Sequence, residues 1–335
     1  MGTLKNILKY LIAFAVACLL LWLVYRQIDI GQLFTRLGDV KYEYVIISIS
    51  IMLVAHLVRA YRWTLLLSPI GFKVSTWRMF LAIMVGYLAN LFVPRMGEIT
   101  RCGVLKRTNN VPMAISIGSV VAERIVDLLT LISLVIINLF IEFELLSGFF
   151  SDFFSSIFSG VVQNLMALYI FAGAGFVLLI IGYFLLRAYK EKLKKIPLFL
   201  KIRTILKELG KGLSSISKLQ KKGHFWISTV LMWLLYYALT YIVVFSIDET
   251  SHLSLIAGLT ILVTGSIGMA TPVQGGIGAF HALVSGVLIL YGVVFEDGIL
   301  FATVLHSSQV LSVILFGSIS LIVTVFLQRK RISNQ

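Results

Sequence analysis

The chain has 335 residues, 59% of them hydrophobic and 13% charged, and its 29 Lys and Arg outnumber 15 Asp and Glu for a formal net charge of +14. A mean hydropathy of +0.97 excludes a soluble domain, because the apolar runs repeatedly reach the length of a bilayer span. The basic excess gathers in short loops between those runs, the positive-inside pattern, which excludes a nucleic-acid-binding role.

In chain order, the first apolar run covers about 7–25, after Lys5 and Lys9. It continues past the small residues around Ala17 and Cys18, so it reads as an uncleaved span rather than a signal peptide. Further spans are expected at about 42–67, 112–140, 162–187, 224–247 and 298–327. The stretch from Arg187 to Lys222 carries twelve Lys or Arg against two Glu and reads as a cytoplasmic loop, as does the tail Arg329-Lys330-Arg331. Connections holding Glu142 and Glu144, Asp248 and Glu249, and Glu296 and Asp297 lack basic residues and read as external, which places both termini in the cytoplasm.

Two segments remain that must begin and end on one side. The first, about 76–111, is interrupted by Pro94-Arg95-Met96-Gly97-Glu98, and its second limb is too charged to cross lipid alone. The second, about 253–292, turns at Pro272-Val273-Gln274-Gly275-Gly276. Both read as re-entrant hairpins, with a pair of short complete spans as the alternative for the second. Unwound backbone at membrane depth is tolerated only where it lines a cavity or packs in protein, so these breaks mark the candidate site. Each half then runs span, span, hairpin, span from opposite sides of the membrane. The expected fold is an all-α polytopic membrane protein, one membrane domain over 1–335. It has about six full transmembrane helices and two re-entrant hairpins in an inverted repeat, with halves at about 1–145 and 146–335 and a basic cytoplasmic loop at about 188–222.

The intramembrane charges acquire depths from the helical rise of about 1.5 Å per residue. Arg59 falls roughly 12 Å from the cytoplasmic end of the second span, and Arg62 and His56 share its broad face. Glu123, which shares a face with Asp127, falls roughly 16 Å deep on the fourth span. Charges at that depth must pair or face water. They either clamp two spans in register or line a cavity with Arg95, Glu98, Arg101 and Arg124. Arginine suits a phosphate group through its planar fork, so the expected ligand is a phospholipid headgroup. Pro94, Gly97, Pro272, Gly275 and Gly276 are the hairpin or gating residues. His281, His306 and Gln309 form a candidate polar site in the second half, with buried packing histidines as the plainer alternative. Trp233, Tyr236, Tyr237 and Tyr241 read as partly interfacial and partly cavity-lining. No phosphate loop, nucleophile elbow or metal-ligand spacing is present in the sequence, so neither enzyme chemistry nor any cofactor or metal is implied.

The motifs Asn90-x-x-x-Pro94-Arg95-x-Gly97-Glu98-x-x-Arg101, Glu123-Arg124-x-x-Asp127 and Gly275-Gly276-Ile277-Gly278-Ala279-Phe280 resemble the flippase-like transmembrane region of the lysylphosphatidylglycerol synthetase/flippase family across nearly the whole chain. In the second hairpin that family often carries Pro-Gly-Gly-x-Gly-x-x-Glu, where this chain has Gln274 for the proline and His281 for the acid. The resemblance implies a lipid flippase-like transporter of a bacterial cytoplasmic membrane, without the synthetase activity of the larger relatives. Two alternatives accompany it. One is a secondary transporter of a small anionic metabolite or ion, with His306 and Glu123 in proton coupling. The other is a lipid-modifying membrane enzyme. The expected partners are a phospholipid as substrate and anionic lipid at the basic loop, and a homo-oligomer is compatible with the sequence.

Overall fold

The computed structural model describes residues 30–93, 95–145, 148, 204–205, 207–212, 214–271 and 273–333. The expected spans at about 7–25 and 162–187, most of the basic loop, and both Pro94 and Pro272 lie outside the described residues. The chain divides into a unit of residues 1–138 with 209–335 and a second unit of 139–208. The first holds the elements below, apart from the end of the fifth helix. Among the described residues the regular structure is helical throughout, without strands.

A short helix α1 (Ile30–Leu37) leads into α2 (Tyr42–Leu67), which runs 26 residues, or about 39 Å, enough to cross a bilayer. Two shorter helices follow, α3 (Thr76–Phe92) and α4 (Met96–Asn109), and then the long α5 (Met113–Ile141). Later in the chain come α6 (Lys222–Ile242), α7 (Leu255–Ala270), a tight turn at Gln274–Gly276, α8 (Ala279–Ile289) and α9 (Phe295–Ser333). Four stretches, Tyr42–Ile70, Met113–Ile141, Lys222–Ser246 and Phe295–Gln328, are long and apolar enough to cross a membrane, so the chain is a multi-pass membrane protein. They agree with the expected spans to within a few residues at each end. Large apolar side chains such as Leu128, Ile132 and Ile136 on α5 and Leu311, Leu315 and Phe326 on α9 are exposed, as lipid-facing surfaces require.

The local sequence explains the helix ends. Ser75 and Ser254 sit in extended backbone before α3 and α7, and each side chain accepts a hydrogen bond from the backbone N–H three residues on, Arg78 and Ala257. Helix α4 ends at Asn110 with φ 56°, a left-handed conformation that asparagine tolerates. One apolar cluster joins Leu67, Val74, Val111 and Leu219. The other joins Val40, Val45, Ile247, Leu253 and Val293. The segment α3–α4 thus leaves from and returns to the first cluster, and α7–α8 leaves from and returns to the second.

At that second end Arg36 of α1 bonds both Asp297 (2.5 Å) and Glu249 (2.7 Å), and Lys41 bonds Asp248 (2.5 Å). Partial burial pulls the Arg36 guanidinium down, but its hydrogen bond and charge attraction to Asp297, with those to Glu249, hold it above its ordinary value. Two of the acidic connections expected to share one side, those of Asp248-Glu249 and of Asp297, are thus joined through α1 and Lys41.

Candidate functional site

The first hairpin turns through Val93 in extended backbone and Arg95 at φ 61°, a left-handed conformation unusual for a residue with a side chain. Asn90, on the last turn of α3, reaches across the break and accepts the Gly97 N–H at 2.6 Å, satisfying a donor that a helix start leaves open. Gly97 and Gly86 let the two limbs touch. A Cβ on Gly97 would lie 2.6 Å from the Asn90 amide nitrogen, and one on Gly86 would lie 2.8 Å from the Gly97 carbonyl oxygen. This close crossing turns the next helical face of α4, with Glu98 and Arg101, toward α5.

Four elements meet in the charged cluster. Glu123 of α5 is fully buried, and its Oε1 lies 2.8 Å from Arg59 Nε and 3.2 Å from an Arg62 Nη, both on α2. Its Oε2 lies 3.1 Å from an Arg101 Nη on α4. Asp127, one turn on, takes Arg62 at 2.6 Å and Arg59 at 3.0 Å. Helix α6 adds Tyr236, whose hydroxyl is 3.4 Å from Arg59 Nη1, and Thr229, 3.4 Å from Arg62 Nη1. Trp63 donates its indole N–H to Ser119 at 2.9 Å and carries the Arg101 guanidinium 4.6 Å from its ring centre. Arg59 and Glu123, which helical rise puts at similar depths, are in direct contact. At the edge of the cluster Arg124 bonds Glu98 at 2.8 Å, with side-chain exposures of 43% and 29%. Four guanidiniums thus share three carboxylates, and one positive charge is left over.

The expected substrate-binding residues therefore divide. Arg59, Arg62, Arg101, Glu123 and Asp127 form the interior of the cluster, Glu98 and Arg124 form its accessible edge, and Arg95 stands apart, exposed at the hairpin turn. Beside that edge, between α4 and α5, is a slot of about 270 Å³ lined by Glu98, Arg124 and apolar side chains including Ile99, Val121, Ile125 and Leu128. The last four are themselves exposed on the apolar surface, so the slot faces the lipid region rather than an enclosed interior.

The second hairpin turns on glycines at positive φ, Gly275 at 58° and Gly276 at 73°. His306 of α9 holds the turn through a 2.9 Å contact between Nε2 and the Gly275 carbonyl oxygen, and its ring lies 5.0 Å from that of His281. Gln309 is half-buried one turn beyond on α9. The sequence did not signal that Gln274 donates to the Phe92 carbonyl at 3.2 Å, with Gly275 facing Leu91. The tips of the two broken segments therefore meet. Tyr237 and Tyr241, expected to be partly interfacial, donate to the Leu255 and Leu253 carbonyls and fasten the start of α7 to α6. No group of three or more His, Cys, Asp or Glu is placed to hold a metal among the described residues.

The family described as the lysylphosphatidylglycerol synthase TM region matches residues 10–317 of this chain. Two curated proteins are similar over shorter stretches. The UPF0104 membrane protein MJ1595 of Methanocaldococcus jannaschii is 23% identical over 125 residues, 36% of this chain and 37% of that protein. Glycosyltransferase AglD of Haloferax volcanii is 30% identical over 117 residues, 35% of this chain and 19% of that protein. The chain spans well under half the length of each of these relatives. No solved structure matches it. The chain belongs to the lysylphosphatidylglycerol synthase transmembrane-region family.

Proposed function

We propose that this member of the family is a lipid flippase-like transporter, moving a phospholipid or a related lipid headgroup across a bacterial cytoplasmic membrane by way of the charged cluster. The observation that carries the reading is the slot between α4 and α5. An ion pair exposed beside apolar, lipid-facing side chains is costly in hydrocarbon unless something amphiphilic covers it. A lipid does so with both parts, an acyl chain along Ile99, Val121, Ile125 and Leu128 and a polar headgroup at Glu98 and Arg124. A closed aqueous pocket would suit a soluble anion instead. Behind the edge, Glu123 and Asp127 engage the buried Arg59, Arg62 and Arg101, and the network's one uncompensated positive charge favours an anionic phosphate at the accessible edge.

Two further observations support the re-entrant, inverted arrangement within this reading. The limbs α3, α4, α7 and α8 have 17, 14, 16 and 11 residues, or about 26, 21, 24 and 17 Å, each short of a hydrocarbon core of about 30 Å. Their tips touch through Gln274 and Phe92, as two hairpins entering from opposite faces would. A contact between tips is also where movement of one half is felt by the other, which suits alternating access. The reading involves no covalent chemistry.

A photoreactive amino acid placed at Val121 tests the occupant. In native membranes it should capture phospholipid more strongly than the same probe at Ile136, also lipid-facing on α5, and Arg124→Ala should remove the excess. Equal capture at both positions would show that the slot holds only bulk lipid and would count against the proposal.

A further inference from the structure

Two imidazoles are buried side by side at the tip of the second hairpin. His306 of α9 is 3% exposed and His281 of α8 is 5% exposed, with ring centres 5.0 Å apart. His306 Nε2 lies 2.9 Å from the Gly275 carbonyl oxygen. A carbonyl oxygen only accepts, so Nε2 carries the hydrogen, and in the neutral ring Nδ1 holds the lone pair at which a further proton adds. The ring of Phe280 lies 5.0 Å from that of His306, tilted by 34°. Helix α7 fixes it there: a Cβ on Gly265 would fall 2.8 Å from Phe280 Cε2, and one on Gly268 would fall 2.7 Å from the Phe280 Cα.

A charged His306 thus has a carbonyl dipole and an aromatic face as partners, and no carboxylate. Helix α7 and the turn 271–278 contain no titratable side chain, α8 contains only His281, and α9 contains only His306 between Asp297 and Arg329. The acids and bases of the other helices packed on α9 are engaged elsewhere. Helix α2 directs Arg59 and Arg62 to Glu123 and Asp127, and its His56 meets Tyr87 of α3. Helix α4 directs Arg101 to Glu123 and Glu98 to Arg124, and Arg36 of α1 bonds Asp297 and Glu249. Glu43, Arg78, Lys106 and Arg107 lie in terminal turns of their helices, and Arg95 is exposed at the first tip. Two imidazolium rings 5.0 Å apart in a low dielectric repel strongly, so the pair takes one proton.

We propose that His306, with His281 beside it, is a proton-binding site that sets how firmly the second hairpin tip is docked, and that proton uptake there slows lipid movement. The last step rests on the transport reading above. An imidazolium donates a stronger hydrogen bond to a carbonyl than the neutral ring does. Its acceptor, Gly275, faces Leu91, and the adjacent Gln274 donates to the Phe92 carbonyl at 3.2 Å. Protonation therefore tightens the turn that holds the two tips together. A ligand that binds one arrangement more strongly shifts the population toward it, so the docked arrangement persists longer and alternating access slows. Histidine suits the role because its charge changes near physiological pH.

The test follows hydrogen–deuterium exchange of the backbone amides in the turn 273–278, in the full-length protein in detergent micelles between about pH 8 and pH 5. Rates are corrected for the intrinsic pH dependence of amide exchange. Leaflet exchange of acyl-labelled phosphatidylethanolamine and phosphatidylglycerol in vesicles is measured over the same range. On acidification amide protection should rise about fivefold, the gain from a charge-assisted bond, and lipid exchange should fall severalfold. His306→Gln keeps a side-chain N–H for the carbonyl but takes up no proton, and it should flatten both profiles, whereas His281→Gln should keep them. Melting curves matching the parent protein establish that both variants fold, and the parent's own profile tests the site without them. Parent protection indifferent to pH, or a His306→Gln profile that follows the parent's, would overturn the site. Loss of the response in His281→Gln alone would overturn the assignment to His306. Active lipid exchange with neither profile responding to pH would refute the proton site and leave transport standing. Active exchange indifferent to pH beside a responsive turn would overturn the link to transport. A responsive turn with no exchange of either lipid would keep the proton site and count against transport.

Discussion

Replacing Glu123 by Gln keeps the side chain's shape and removes the charge on which three arginines converge. In the native cluster Arg59, Arg62 and Arg101 approach the carboxylate at 2.8, 3.2 and 3.1 Å. At these distances each contact is worth up to about 6 kcal/mol at an effective dielectric constant near 20. Most of that is offset by the desolvation that folding has already imposed, and removing one partner of a buried pair costs about 3–5 kcal/mol. The amide also turns an N–H group toward a guanidinium where an oxygen accepted before. The expected result is a melting midpoint lowered by roughly 4–7 °C in detergent. Adding Arg101→Met to Glu123→Gln restores the single positive excess of the parent cluster and should recover at least half of the loss. A Glu123→Gln protein that melts within 2 °C of the parent would refute the claim that the carboxylate is buried among charged arginines.

Asn90→Leu removes the acceptor for the Gly97 N–H and should cost about 1 kcal/mol, seen as a small fall in melting midpoint. Gly97→Ala, whose added methyl has no room against Asn90 and the α3 backbone, should abolish the folded monodisperse peak in size-exclusion chromatography. With Cys18 and Cys102 replaced, cysteines at Phe92 and Gln274 should be joined by a short bifunctional thiol reagent in membranes. A failure to join them would separate the two tips. Cysteines at Lys218 and Asp248 should react with a membrane-impermeant thiol reagent from opposite sides, Lys218 only in inverted vesicles and Asp248 only in intact cells. The same sidedness for both would overturn the topology.

Much of this arrangement is legible in the sequence because bilayer thickness and helical rise are strong constraints. Twenty-odd apolar residues define a span, and counting from its end puts Arg59 and Glu123 at similar depths, in keeping with their contact. The breaks at Pro94 to Glu98 and at Pro272 to Gly276 are legible as interruptions of apolar runs, whereas the close approach at Gly97 and the left-handed backbone of Gly275-Gly276 are seen only in three dimensions. What periodicity could not give was azimuth between helices distant in sequence. Arg95 and Arg101 sit in one motif, yet only Arg101 turns inward, because Arg95 occupies the turn itself. Tyr236 meets Arg59 while Tyr237, its neighbour, fastens α7, a difference set by 100° of helix rotation and by which helix lies opposite. Gln274 looked like a missing proline, and its contact with Phe92 spans 182 positions, beyond the reach of any local pattern.

The central claim is translocation of lipid, and leaflet exchange in vesicles tests it most directly. The full-length protein is reconstituted with fluorescent phospholipids bearing several headgroups, and the fraction reached by a membrane-impermeant quencher is followed with time. Exchange should exceed that in protein-free vesicles for at least one headgroup, and it should fall severalfold in Arg124→Ala and Glu98→Ala proteins that remain folded. Exchange no faster than in protein-free vesicles for every headgroup tried would contradict the account.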